Sequence, residues 1–518
     1  MTRSQGEPEK GSVPDLLLWR STISPDSLAL KFGSVEWSYE EMQRKVSTLS
    51  AIFLSWGVKK GDRVGMLLNP SEIYIMAIHA LVRIGAVIVP MNVRLSPSEL
   101  LWQINDADLS LILYDQVLSD LKIRIDAENK RRVFRWKYSG ELMADTTRRP
   151  VKDSKLDISS LHSIIYTSGS TGIPKGVKIT LSNILWNAIS FRLQYDASPS
   201  DRWLLVMPLF HVGGYMIPFR SVLGGSSIVI HPTFETEAVS ESLDRDGITF
   251  ISLVPTMLRR LLESRLVTFP ASLRIVFLGG SPIPNFLISA IKERKLPVVL
   301  TYGMTETCSQ AAISPVEVST KPTKISYRPI FPTIIAVKCG RTLGSQTGKV
   351  GEILIRGPTV FGGYWRDLKT TLTVLKDGWL HTGDLGFLDA QGGIVVLGRR
   401  DEMIISGGEN IYPVEVESSL LEHEAIEDAV VIAKEDPEWG QQVEAVVKIK
   451  QGFARPSPSE LTEFLAEKIG GYKIPKVYHF WTSIPKTPTG KTKREIVREF
   501  VERGKIWKGF KEKTGEYT

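Results

Sequence analysis

Between Tyr166 and Gly176 the chain reads Tyr-Thr-Ser-Gly-Ser-Thr-Gly-Ile-Pro-Lys-Gly, with three glycines and four Ser/Thr hydroxyls in eleven positions. Glycine lets a backbone come close to an anion, and successive N–H groups and hydroxyls can then surround phosphate oxygens. The order Gly-x-x-Gly-x-x-Lys-Gly is neither a Walker A loop nor a dinucleotide fingerprint. A flexible Gly/Ser linker would explain the glycines, but not Pro174-Lys175-Gly176 or the strand-like Ser163–Tyr166 that precedes them. Other reactive side chains say less on their own. A lone acid such as Glu306 or Asp384 is usually a solvated charge. His211, between Phe210 and Val212, fits a satisfied core histidine. Lys491 lies in a basic tail with Lys473, Lys476, Lys486, Lys493 and Arg494. That tail lacks the interleaved aromatics of a nucleic-acid surface, so a solvated face with an attraction for phosphate is the simpler reading.

These residues need a scaffold, and the early chain alternates helix and strand signals. Tyr39–Trp56 has helical spacing and stops at Gly57; Arg63–Leu68 is a short apolar strand; Ser71–Ile84 is helical again; Ala86–Val89 is a strand closed by Pro90. The pattern recurs at Trp203–Met207, Ser227–His231, Phe250–Val254, Arg274–Leu278 and Val298–Thr301, with helical stretches between. Strands alternating with helices predict parallel βα units and an α/β fold. After about Gly340 short strands follow one another with Gly turns, which reads as antiparallel β or a small barrel. A small α+β unit follows a boundary near Gly398–Asp401. The expected division is a flexible N-terminus over 1–12, a large N-terminal domain over 13–398, a hinge over 399–401 and a lid domain over 402–518.

The chain has 518 residues, 42% hydrophobic and 23% charged, which excludes a disordered or collagenous protein and implies several domains. A net charge of +7 over this length is mild. The two cysteines, Cys308 and Cys339, cannot build a disulfide framework, which points to a reducing, cytoplasmic setting. The first residues are polar and read as no secretory leader, and the uncharged stretch Trp203–Phe219 is too short and too rich in Pro and Gly to span a bilayer. No transmembrane segment and no nucleic-acid partner are expected, and the oligomeric state is not readable.

The Tyr166–Gly176 string resembles the phosphate loop of the adenylate-forming enzymes, the AMP-forming acyl- and aryl-CoA synthetases among them. Six further strings agree in the family's order: Pro208-Leu-Phe-His211, Gly279-Gly-Ser-Pro282, Tyr302-Gly-Met-Thr-Glu306, Gly378-Trp-Leu-His-Thr-Gly-Asp384, Gly398-Arg-Arg-Asp-Glu402 and Pro488-Thr-Gly-Lys491. The matches run from about Tyr39 to Arg494. The resemblance implies ATP, Mg²⁺ and coenzyme A as cofactors and co-substrates, and a small carboxylic acid as substrate. It implies a nucleotide site of Thr167, Ser168, Gly169, Ser170, Thr171, Gly172, Lys175, Gly280, Ser281, Pro282, Tyr302, Gly303, Thr305, Asp384 and Arg399. Thr305 would meet the α-phosphate, Glu306 would hold the metal, Tyr302 would stack on adenine, and Asp384 and Arg399 would take the ribose. Lys491, His211, Thr305 and Glu306 would be the catalytic set. An acyl pocket of His211, Val212, Gly213, Gly214, Gly303, Ser309 and Gln310, a hinge at Asp401, and a CoA tunnel at Ser406, Gly407 and Gly408 complete the expectation.

Ile405–Pro413 matches the phrase used by thioester-forming members, and no carrier domain follows Lys491, which favours free CoA. Within the family, Asp201-Arg-Trp-Leu-Leu and Thr307-Cys-Ser-Gln310 look most like the o-succinylbenzoate–CoA ligases of menaquinone synthesis. Two departures leave the acid open to medium-chain or other aryl acids, hence also to fatty acid metabolism. Gly213 stands where Ser is expected, and Tyr327, within Lys324–Pro329, replaces a glycine near the pocket. A stand-alone adenylating enzyme that loads a carrier protein and a non-enzymatic nucleotide-binding relative are the other readings kept.

Overall fold

The computed structural model describes residues 11–129, 134–144, 155–167, 174–264, 269–315, 325–340, 342–343, 347–487 and 490–507. Much of the expected flexible N-terminus lies outside them, but Ser12–Pro14 is a strand paired with Lys155–Asp157, so ordered chain begins by residue 12.

Local signals set the helices. Ser38 accepts from the Glu41 N–H while Glu41 accepts from the Ser38 N–H, a capping box that starts the helix Tyr39–Ser55. Ser71 caps Glu72–Arg83 in the same region through a bond from Tyr74 N–H. The two helices pack against each other, the second also against Val87–Pro90 of a six-stranded sheet. Its order is Lys175–Thr180, Leu161–Thr167, Val87–Pro90, Arg63–Leu67, Leu111–Tyr114 and Trp136–Tyr138, parallel except for the first pair.

A second run holds six strands, Leu28–Phe32, Ser227–Ile230, Arg202–Leu205, Phe250–Leu253, Ile275–Gly279 and Val298–Met304, each parallel to the next, with Val35–Ser38 added antiparallel at the Leu28–Phe32 edge. It then turns antiparallel through Ser309–Pro315, Ser326–Pro329, Ile394–Arg399, Trp379–Leu388, Gly351–Arg356 and Ile334–Cys339. The strands read from sequence as antiparallel β or a small barrel are antiparallel, and they are joined edge to edge to the parallel sheet. The joint is Ser326–Pro329, which pairs with Ser309–Pro315 on one side and Ile394–Arg399 on the other. The expected helix–strand alternation is present within three residues at each boundary, giving an α/β fold with mixed sheets.

From Ile404 onward the chain builds its own layers. Five strands pair as one sheet: Ile404–Ser406, Glu409–Ile411, Ile426–Asp436, Gly440–Ile449 and Val477–Phe480. Alternate residues of Ile426–Asp436 face opposite sides, as a strand requires. Ala429 and Val431 join Leu420, Leu461 and Leu465, whereas Val430 and Ile432 join Trp481, Val497 and Phe500. Several bases of the tail, expected as a solvated face, are paired instead. Lys473 meets Glu415 at 2.7 Å and Lys486 meets Asp428 at 2.6 Å. Arg494 is enclosed between Glu402 at 3.1 Å and Glu417, to which its Nη2 donates at 2.8 Å. Acids contributed by other elements made that outcome invisible in a local reading. Among the described residues no helix is long and apolar enough to cross a membrane.

Two histidines are sealed inside the larger domain, His79 at 6% and His162 at 3% exposure. Burial pushes their pKa values down to about 4 and about 3, so both are neutral when folded. The unfolded chain titrates them near 6.5 and binds more protons below that pH. Their contribution is fully present above about pH 6.5 and is lost as pH falls toward the folded values. Stability should therefore drop between pH 6.5 and 5, by up to about 1.4 kcal/mol per pH unit for each histidine. Thermal melts across that window check this, and a flat Tm would contradict it.

Candidate active site

Three of the segments singled out from sequence lie at the carboxyl ends of the parallel strands, where open α/β sheets place their ligand crevices. Gly279–Pro282 follows Ile275–Gly279, Tyr302–Glu306 closes the neighbouring Val298–Met304, and the Pro208–His211 segment follows Arg202–Leu205. Gly279 has no room for a side chain, because a Cβ would sit 2.2 Å from Thr301 Oγ1. Gly303 is equally confined, with Ser309 O at 2.0 Å from a built Cβ. These close approaches lay Tyr302–Met304 flat against Ser309–Gln310 across a bulge.

The phosphate-loop string spans a hairpin, with Thr167 opposite Lys175 and Tyr166 opposite Gly176. Ser168, Gly169, Ser170, Thr171 and Gly172 lie outside the described residues. The hairpin base is anchored by the Tyr166 hydroxyl, which donates to Asp106 Oδ2 at 2.5 Å.

Asp384 and Arg399 face each other on adjacent antiparallel strands. Arg399 Nη1 donates to Asp384 Oδ1 at 3.1 Å and to Thr382 O at 2.9 Å. Tyr302, 82 residues before Asp384, donates its hydroxyl to Oδ2 at 2.7 Å. Burial pushes the Asp384 carboxyl above the usual carboxylate range, against the pull of Arg399, Tyr302 and Lys491. Burial also disfavours the charge on Arg399, but Asp384 and Asp401 more than offset it and its pKa is raised. The Lys491 effect on Asp384 means that the C-terminal lysine, itself exposed, stands within electrostatic reach of this carboxylate.

Polar contacts hold the small domain in that orientation. Arg259 Nη1 donates to Glu427 O at 3.0 Å, and Asn285 Nδ2 donates to Glu422 Oε1 at 2.9 Å. A Cβ on Gly490 would lie 3.3 Å from Thr256 Oγ1, so the lysine loop rests against the larger domain. Gly407 and Gly408, expected at a CoA tunnel, are exposed, and Ser406 is half-buried.

Thr305 and Glu306 form a short 3₁₀ turn. Glu306 Oε1 accepts the Tyr364 hydroxyl at 2.8 Å, a partner that local sequence reading missed. His211 is held neutral, with burial and then Arg94 pushing its pKa down to about 4. Its Nε2 is enclosed and has no hydrogen-bond partner among the described residues. A Cβ on Gly213 would meet only Met207 Cε at 3.7 Å, whereas one on Gly214 would strike Pro208 O at 2.5 Å. Gly213 therefore faces space and Gly214 is a packing glycine. Gln310 is 6% exposed and its Oε1 accepts the Tyr195 hydroxyl at 3.0 Å. Tyr327 is buried with its ring 6.0 Å from that of Tyr302, which places it beside the expected adenine-stacking residue.

The AMP-binding enzyme family matches residues 18–365, and the AMP-binding enzyme C-terminal domain matches 415–491. A 2-succinylbenzoate–CoA ligase of Bacillus cereus (strain Q1) is 36% identical over 495 residues, covering 95% of this chain and 99% of the relative. The o-succinylbenzoate CoA synthetase of Bacillus subtilis is 33% identical. Its complex with the acyl-adenylate intermediate superposes with a TM-score of 0.87 over 94% of this chain and 98% of that one. Its complex with ATP and magnesium also gives 0.87, over 94% and 100%. A double mutant of the same enzyme, bound to a product analogue, gives 0.72 over 94% and 99%. With both domain signatures in order and relatives aligned along nearly its whole length, the chain belongs to the AMP-binding enzymes.

Proposed function

We propose that the chain is an AMP-forming acid–CoA ligase whose acid is o-succinylbenzoate. The observation that carries the reading is the Asp384–Arg399–Tyr302 cluster of the large domain, with Lys491 of the small domain within electrostatic range of Asp384 and its loop resting on Thr256. The acid is supported by the likeness to 2-succinylbenzoate–CoA ligase along 95% of the chain.

In the first half-reaction a carboxylate oxygen of the acid attacks the α-phosphorus of ATP, and the bond to pyrophosphate breaks. Two anions meet, so fixed positive charge and preorganised donors dominate the rate. Lys491 supplies the charge between carboxylate and phosphate oxygens. Thr305 and the hairpin loop around Lys175 donate to phosphate, and Asp384 accepts from the ribose while Arg399 donates to it. The enclosed, unpaired Nε2 of the neutral His211 fits a polar atom of the acid's activated carboxyl group. Magnesium fits as well: Glu306 offers a hard carboxylate oxygen, its other oxygen accepting the Tyr364 hydroxyl at 2.8 Å. One carboxylate, Glu306, with phosphates and water suits a metal that arrives with ATP, where it would neutralise phosphate charge. In the second half-reaction the thiol of CoA attacks the acyl carbonyl and AMP leaves. Asp401 serves as the hinge between 13–398 and 402–518 that brings Ser406–Gly408 to the site for this step. Two free cysteines fit a cytoplasmic setting.

A panel of acids with ATP and CoA, read as AMP release, tests the substrate. Activity on o-succinylbenzoate should exceed that on benzoate and on octanoate by at least about tenfold, since burying its extra polar group in a matched site carries that discrimination. Preference for octanoate would assign the enzyme to fatty acids instead.

The open space beside Gly213 gives a second test. Gly213→Leu should lower activity on o-succinylbenzoate at least about tenfold, while small acids such as propionate gain relative to it, because overfilling a packed pocket costs roughly 1–3 kcal/mol. An unmoved specificity profile in folded protein would place the acyl pocket elsewhere.

A further inference from the structure

Tyr364 takes part in none of the strings that mark the site, yet it touches two of them. Its hydroxyl donates to Glu306 Oε1 at 2.8 Å. Its ring lies under the Lys175 ammonium, 5.5 Å from the centroid. Its backbone is fixed as tightly. Tyr364 N–H donates to Thr371 Oγ1 at 2.8 Å, Trp365 N–H donates to Gly176 O at 2.7 Å, and Phe361 N–H donates to Glu306 O at 2.9 Å. Segment 361–365 therefore stitches the exit of the phosphate-loop hairpin to the turn that carries Glu306.

We propose that Tyr364 is a positioning residue that orients the Glu306 carboxylate for magnesium and sets it against Lys175. Resting on the reading of Glu306 as the magnesium carboxylate, it extends that reading to a residue no motif assigns. The chemistry is direct. A phenol donating to an ionised carboxylate makes a charge-assisted bond. It commits one oxygen to Tyr364 and stops the carboxylate rotating, so the other oxygen is presented as a single, aimed ligand. Groups that orient a metal ligand in this way typically carry about 10–100-fold in metal affinity. The 2.8 Å separation from a carboxylate oxygen, which can only accept when ionised, makes the hydroxyl the donor. The same ring leaves the ammonium of Lys175 over its face, where the quadrupole attracts it, on the side of the hairpin that meets phosphate.

The test is equilibrium binding of ATP to the full-length protein across a MgCl₂ titration, by calorimetry, with an EDTA series beside it. Tyr364→Phe keeps the ring over which Lys175 lies and removes only the hydroxyl. It should raise the half-saturating magnesium about tenfold and leave ATP affinity in EDTA unchanged. Glu306→Gln should shift the titration at least as far, and the double variant should be no worse than Glu306→Gln alone, because the phenol acts only through that carboxylate. If Glu306→Gln shifts the titration and Tyr364→Phe does not, the positioning role is overturned while the Glu306 reading stands. If neither shifts it, both fall together. Additive losses in the double variant would also overturn the proposal, since Tyr364 would then act independently of Glu306.

Discussion

Replacing Lys491 by alanine should slow adenylate formation by at least about a hundredfold, the scale of losing one oriented transition-state donor, or about 2.7 kcal/mol. Thioester formation from acyl-adenylate supplied to the same variant should be largely spared. The asymmetry follows from place. Lys491 follows Gly490, which rests against Thr256, and lies within electrostatic range of Asp384, so its charge is available when phosphate and carboxylate meet. It has no corresponding task once the pyrophosphate is gone. Single-turnover measurement of both half-reactions checks this, and equal losses in both would contradict it.

The second large effect concerns the hinge. Arg399 is tied to the large domain through Asp384 and Thr382. Glu402 is tied to the small domain through Arg494, which also grips Glu417 and donates to Val431 O at 2.9 Å. Between those two anchors only Arg400 and Asp401 remain to absorb a rotation. Asp401 is exposed, with its carboxylate 3.5 Å from Arg399 Nε. It lies in the first turn of a 3₁₀ segment, Arg400–Glu402, where a lost N–H costs least. The lower TM-score to the product-analogue complex, 0.72 against 0.87 at the same identity, supports a second domain arrangement in the relative. Proline fixes φ near −65°. Asp401→Pro should keep ATP–pyrophosphate exchange within a few-fold and lose at least about 99% of thioester formation, whereas Asp401→Ala should retain both. A proline variant that forms thioester at the normal rate would place the pivot elsewhere.

The helix–strand alternation and the motif strings were legible because each is local. A capping box spans four residues, a strand ends at its Pro or Gly, and each string names itself within a dozen positions. What joins the strings was not legible. Tyr302 reads as a flat face for a base, but its hydroxyl is committed to Asp384, 82 residues away. Tyr364 sits in an unremarked Gly-Tyr-Trp, and its meaning depends on Glu306, 58 residues before it. Arg494 reads as one more base in a basic tail, and only the fold brings two acids to it from other elements. The barrel expected after Gly340 came from turn spacing, which reports hairpins but not the edge they join. Ser326–Pro329 makes that joint through pairings to strands on either side of it in sequence.

The central claim is that the acid is activated on ATP before any thiol is needed, at a site completed by the small domain. Exchange of labelled pyrophosphate into ATP, measured with o-succinylbenzoate and without CoA, tests it most directly. The expected result is acid-dependent exchange in the absence of CoA, with AMP and thioester accumulating once CoA is added. Exchange that needs CoA, or ADP in place of AMP, would contradict it.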